Sequence, residues 1–246
     1  MRTLWMLATL LVMTPAMAIP ALVVSLIRPR GNFAMTTARI WSRAMLAASG
    51  AEVHYSGIPD EGWPEPAVFV SNHQSNIDIW TLLTMVPPST RFVAKQVLFR
   101  VPILGWAMSA AGFIPIDRAN RARAIRSLDL AAERIRNGRS VLLFAEGTRS
   151  ATGKLQPFKK GPFHLALRAG APVVPLVIAG SWHVMRPRGL RVRPGRVDIR
   201  ALSPIDPLPF QPDDHDGLRS LVHAAIESGL NELDSAREPF DTRTTR

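Results

Sequence analysis

Ala67-Val68-Phe69-Val70-Ser71-Asn72-His73-Gln74-Ser75-Asn76-Ile77-Asp78 is an apolar run that opens into a polar loop and then into a helix start. A short, unbroken apolar run suits a strand buried on both faces, as strands of parallel sheets are. Ser75 with Asp78 three residues later reads as a capping-box-like start. His73 therefore falls in a strand-to-helix loop and Asp78 in the first turn of the helix. On one continuous helix, side chains five positions apart point about 140° away from each other and could not meet. The loop removes that obstacle, because it can fold the imidazole back onto the carboxylate.

Outward from this stretch the same alternation continues. Further strands are expected at 90–94, 112–116, 140–144, 172–178 and 196–200, with helices near 76–86, 98–110, 119–137 and 158–169. This pattern predicts an α/β fold: a single domain with a mixed, largely parallel sheet covered by helices. In the helix at 119–137, Ile125, Leu128, Ala132 and Ile135 recur on one face, and Asn137-Gly138 stops it. Its other face carries Arg121, Arg123, Arg126, Arg134 and Arg136, ordinarily a solvated surface and, beside a bilayer, a contact for anionic lipid. Residues 186–214 are rich in Pro and Arg and read as looped or extended segments around one strand. A last amphipathic helix, 216–233, turns Leu218, Leu221, Val222, Ala225, Ile226 and Leu233 inward. The division expected is 1–50 for membrane-anchoring helices, 51–235 for the α/β domain and 236–246 for a polar tail.

The N-terminal region has no charge from Thr3 to Ile27. As a helix this stretch reaches roughly 38 Å, enough to cross a hydrocarbon core. Pro15 and Pro20 argue for a bent or re-entrant helix over a straight span. Ala16-Met17-Ala18 resembles a signal-peptide cleavage site, but apolar sequence continues through Ile27, which favours a retained anchor. Arg28, Arg30, Arg39 and Arg43 bias that flank towards the cytoplasm. Residues 34–48 read as an amphipathic helix lying along the headgroups. The location expected is the inner or plasma membrane, with the catalytic domain facing the cytoplasm.

Lys and Arg outnumber Asp and Glu by 30 to 19, a net charge of +11, which favours anionic partners. Nucleic acid is the weaker choice: the chain has one tyrosine, shows no base-reading signature, and opens on apolar sequence. With no cysteine there is no disulfide, thiolate metal site or cysteine nucleophile. The histidines are too scattered for a zinc-binding helix, so no metal is expected.

His73 is the candidate general base, since imidazole titrates near neutrality, and Asp78 would set its tautomer and stabilise the imidazolium. A second motif, Glu146-Gly147-Thr148-Arg149, follows the apolar run Val141-Leu142-Leu143-Phe144. Gly147 permits positive φ, Arg149 offers a planar fork for phosphate, and Glu146 can hold that fork or bind a substrate hydroxyl. Arg118 and Lys95 also stand at the ends of expected strands, where ligands of open α/β sheets bind. Lys159 and Lys160 are candidates to border the same pocket.

Four blocks carry a resemblance to the glycerolipid acyltransferases: Asn72-His73 to Asp78, Gly112 to Arg118, Phe144 to Ser150, and Val173 to Ile178. The resemblance covers roughly residues 65–180. It implies His73 as base and Asp78 as its partner. It also implies glycerol phosphate bound by Arg118 and by Glu146, Gly147, Thr148 and Arg149, with Lys95 in support. The fourth block would line the acyl or acceptor region. The acyl donor implied is a thioester of coenzyme A or acyl carrier protein, the acceptor lysophosphatidic acid, and no cofactor is needed. With no Cys and no G-x-S-x-G elbow, the acceptor hydroxyl attacks the thioester directly. Ala145 departs from the family, which usually has proline there, and this is expected to loosen the turn aiming Glu146. Two other readings fit: acylation of another lysophospholipid or a lyso-aminolipid, and a non-catalytic lipid-binding protein at the membrane surface.

Overall fold

The computed structural model describes residues 1–27, 32–211 and 213–237. Seven strands form one sheet: β1 (Ala51–Ser56), β2 (Val68–Ser71), β3 (Arg91–Lys95), β4 (Ile114–Ile116), β5 (Val141–Phe144), β6 (Val173–Ala179) and β7 (Gly195–Ala201). Their order is β1-β7-β6-β2-β5-β3-β4. The β6-β2-β5-β3-β4 block is parallel throughout, β7 runs antiparallel to β6, and β1 pairs parallel with β7. The sheet is thus mixed and largely parallel, as expected. Every residue of β2 and β6 is buried, which is why both read as unbroken apolar runs.

Successive side chains in a strand point to opposite faces, and the two faces carry separate cores. Phe69, Leu142, Val174, Leu176 and Ile178 join one core with residues of α1 (Arg2–Ile27), α2 (Phe33–Ser49) and α3 (Ile77–Met85). Val68, Val70, Val141, Leu143 and Val177 join the other. There they meet α5 (Arg121–Arg136), α6 (Gly161–Ala169) and α8 (His215–Ser235). The short α4 (Leu104–Ala110) follows β3, and α7 (Ser181–Val184) follows β6.

Several expectations are corrected. The helix expected at 98–110 is two pieces, a 3-10 turn at Gln96–Arg100 and then α4. Pro102 cannot donate a backbone bond, and Ile103 takes a left-handed φ of 65° to restart the chain. Strand β1 and helix α7 were not expected; β1 is a half-exposed edge strand whose weak alternation hides it. Ile125 and Leu221 face solvent, so the inward stripes of α5 and α8 are narrower than their sequence suggests.

Pro15 and Pro20 lie inside α1, which stays helical from Arg2 to Ile27. It lies along the body: Met6, Ala18 and Ala21 are buried, Trp41 Nε1 donates to Thr14 Oγ1 at 3.2 Å, and the Val192 amide donates to Thr3 Oγ1 at 3.1 Å. The opposite side is bare, with Leu4, Leu11, Val12, Leu26 and Ile27 exposed. The apolar face of α2 packs on the protein body through Met35, Met45 and Leu46, while Phe33 and Ile40 stay exposed. Arg28 and Arg30 lie outside the described residues, as does the expected tail beyond Arg237.

Candidate active site

Parallel strands carry their carboxyl ends to one edge, and the candidate residues follow those ends. His73 comes two residues after β2, Glu146 two after β5, Arg118 two after β4, and Lys95 closes β3. The His73 loop is fastened at several points. Asn72 Nδ2 donates to Ile178 O and Asn72 Oδ1 accepts from the Ile178 amide, both at 2.8 Å, so its amide side chain stands in for a strand neighbour beside β6. Ser75 Oγ donates to Met185 O at 2.7 Å, and the Ser150 amide donates to His73 O at 2.8 Å.

Asp78 is fully buried in the first turn of α3. Its Oδ2 accepts from the Gln74 amide at 2.6 Å and the Ser75 amide at 2.8 Å, and lies 2.8 Å from His73 Nδ1. The capping half of that arrangement is the one foreseen; Ser75 Oγ completes it by accepting from the Ile77 amide at 3.2 Å. With Nδ1 donating to the carboxylate, Nε2 is the nitrogen left to take a proton. Phe144 stacks on the imidazole at 3.7 Å between ring centroids and 12° between planes, which fixes the ring's tilt. His73 is itself buried, with 9% of its surface exposed.

Glu146 neither holds Arg149 nor stands free. Its Oε1 accepts from the His73 amide at 2.8 Å, so this carboxyl braces the His73 backbone. Burial pushes its pKa from the usual 4.5 up to about 7, the nearby Asp78 charge adds to the rise, and hydrogen bonds from His73 and Gln156 oppose it. Arg149 is steadied by Asn76, whose Oδ1 accepts from Nη1 at 2.7 Å. Gly147 has φ of 73°, and a side chain there would press on Lys159, which shows why this turn takes glycine. Arg118 donates through Nη1 to Gly147 O, tying the β4 end to the β5 turn. Thr148 and Lys95 are exposed on this edge. Lys160 pairs at 2.8 Å with Asp216 at the start of α8.

Ala145 does not loosen the turn. It is buried, its amide donates to Ser71 O at 2.9 Å, and its carbonyl accepts from the Lys159 amide at 2.8 Å. Proline has no N–H and would forfeit the first of these bonds. Sequence reasoning missed Asn76, Gln74 and Phe144 as parts of the site. The first two were visible only as polar loop residues, and Phe144 as the end of a strand. No group of three or more metal-ligating side chains occurs among the described residues.

The described residues thus set a buried carboxylate–imidazole pair at a parallel strand end, braced by a second carboxyl and flanked by Arg149 and Arg118. The chain belongs to the acyltransferase family, whose pattern matches residues 52–179. It is 36% identical over 197 residues to a 1-acyl-sn-glycerol-3-phosphate acyltransferase of Limnanthes douglasii, covering 78% of this chain and 69% of that one. Against the chloroplastic 1-acyl-sn-glycerol-3-phosphate acyltransferase BAT2 of Brassica napus it is 42% identical over 137 residues, 56% of this chain and 39% of that one. The matched stretch covers 54% of the relative from Cocos nucifera, so the chain spans about half or less of these two curated relatives. Among solved structures it resembles the 1-acyl-sn-glycerophosphate (LPA) acyltransferase PlsC of Thermotoga maritima. The TM-score is 0.83 at 27% identity, over 97% of this chain and 96% of that one.

Proposed function

We propose that this protein transfers a fatty acyl group from an acyl thioester, of coenzyme A or acyl carrier protein, to the free hydroxyl of 1-acyl-sn-glycerol 3-phosphate. The product is phosphatidic acid, an intermediate of phospholipid biosynthesis. The names of its relatives support the acceptor. The observation that carries the mechanism is the 2.8 Å contact of His73 Nδ1 with the buried Asp78.

His73 Nε2 takes the acceptor's hydroxyl proton as the oxygen attacks the thioester carbonyl. Asp78 stabilises the imidazolium that forms. Collapse of the tetrahedral intermediate breaks the C–S bond, and the imidazolium returns the proton to the departing sulfur. Arg149 and Arg118, with Gly147, Thr148 and Lys95 around them, hold the glycerol phosphate, and Glu146 keeps the His73 backbone in place.

Residues 1–27 seat the enzyme on the cytoplasmic side of the inner or plasma membrane. Because α1 is fastened to the body from Thr3 to Ala21, it lies in the interface with its bare side in lipid and does not cross. Cleavage after Ala18 would strip Met6 from the core, so the helix stays on the working enzyme.

The test is release of free thiol from acyl-CoA by purified protein, with and without lysophosphatidic acid. His73→Ala should lower acceptor-dependent release by about 10²–10⁴ while leaving the fold intact. Activity within a factor of about two of wild type, in folded variant, would remove His73 from the role of base, since base loss is worth far more than that. Equal thiol release from a panel of lyso-lipids lacking phosphate would reassign the acceptor.

A further inference from the structure

The arginines between Met185 and Gly195 play no part in the site described above. Met185 and Val192 form an antiparallel bridge, and the segment between them folds back through a turn in which the Gly189 amide donates to Arg186 O at 3.1 Å. Arg188 takes a left-handed φ of 62° at the tip. Arg186, Arg188, Arg191 and Arg193 are all exposed, and Leu190 between them is 65% exposed. Arg186 lies over the Trp182 ring at 4.4 Å. No carboxylate pairs with any of the four among the described residues, whereas the neighbouring Arg196 is paired with Asp198 at 2.8 Å. Four like charges on one short loop repel each other, and a sequence keeps such a cluster where an external anion offsets the repulsion.

The loop's position says which anion. Its returning strand donates from the Val192 amide to Thr3 Oγ1, in the first turn of α1, and Arg2 approaches Gly50 and Pro194 beside it. The cluster therefore flanks the N-terminal end of the helix whose bare apolar side faces outward. An exposed leucine among arginines, beside an apolar helix lying in an interface, matches the depth profile of a lipid surface: acyl chains, then charged headgroups. The arginines of α5 do not share this geometry. That helix packs on the opposite sheet face from α1, so its outer side is turned away from the anchor.

We propose that the loop 185–195 is a docking element for anionic lipid headgroups, seated beside α1 and separate from the phosphate site of the acceptor. It rests on the reading of α1 as an interfacial helix. The base of the loop is also tied to the catalytic loop by the Ser75–Met185 bond, so docking sets the tilt of the His73 site towards the bilayer.

The experiment uses the full chain and sedimentation with two vesicle types, phosphatidylcholine alone and phosphatidylcholine mixed with phosphatidylglycerol. Wild type should bind both and prefer the anionic vesicles, with the preference collapsing at high salt. The triple variant Arg188→Gln, Arg191→Gln, Arg193→Gln should retain its binding to neutral vesicles. It should lose tenfold or more of its partitioning to anionic ones, since each arginine near such a surface is worth about fivefold. Arg121→Gln with Arg126→Gln on α5 is the charge-matched control and should change little.

Failure of wild type to bind either vesicle would overturn the interfacial reading of α1 itself. Binding to both vesicles without preference would overturn the loop proposal alone. An equal loss from the α5 control would also overturn it, by showing that only net charge matters. So would a triple variant with unchanged vesicle binding and a raised KM for acyl-CoA, which would assign the loop to the donor.

Discussion

At the scale of single residues, the unexpected part of the site is Glu146. A carboxyl that braces the His73 amide could do so ionised or neutral, and burial decides for a folded-state pKa of about 7 against the usual 4.5. The neutral folded form then binds a proton that the unfolded chain has released between those two values. Stability from this group is fully present below pH 4.5 and is lost as pH rises through about 7. Glu146→Gln keeps an oxygen to accept from His73 and removes the titration. The variant should therefore gain stability relative to wild type across that window, by on the order of 3 kcal/mol. Denaturant unfolding of both proteins at several pH values measures it. A constant difference across the window would show that Glu146 is an ordinary ionised carboxylate.

At the scale of elements, α1 carries two different sides in one sequence that has no charge after Arg2. Its inner side is protein core, and its outer side is bare. Substitutions should separate the two. Leu11→Glu with Leu4→Glu, both on the exposed side, should release protein from membranes and leave thermal unfolding unchanged to within about 0.5 kcal/mol. Met6→Asp on the buried side should destabilise the body by several kcal/mol, because an unpaired charge enters the core. Deleting residues 2–27 mixes the two effects, so it is the poorer experiment. If Leu4→Glu with Leu11→Glu left membrane binding whole, the anchor would have to lie elsewhere.

At the scale of the whole molecule, the parallel block brings the ends of β2, β3, β4 and β5 to one edge, where the proposed phosphate site draws on separate segments. Arg118 arrives from β4 and Arg149 from β5, joined through the Arg118–Gly147 bond. Arg149→Ala should raise KM for lysophosphatidic acid tenfold or more, since a charged hydrogen bond contributes about 1.5–3 kcal/mol. Arg149→Lys should restore part of that, for lack of the fork. Arg118→Ala should cost less, and the double variant should cost less than the product of the two, because both cations serve one anion. Fully multiplicative effects would mean that the two arginines act on different groups.

Sequence alone determined the layered α/β class, the span of most strands, the loop placement of His73 and the first-turn placement of Asp78. Those are local properties: β2 and β6 are buried on both faces and must be apolar throughout, and the Ser75–Asp78 cap is made within one turn. The tertiary structure alone decided what is made between distant segments. It turned Glu146 to the His73 backbone instead of to Arg149, gave Arg149 to Asn76, and set Phe144 against the imidazole. It let Ala145 donate to Ser71 and so keep the turn firm without proline. It also laid α1 along the body although its length and composition suit a crossing, because hydropathy measures how much apolar surface a helix has and not which side the protein covers.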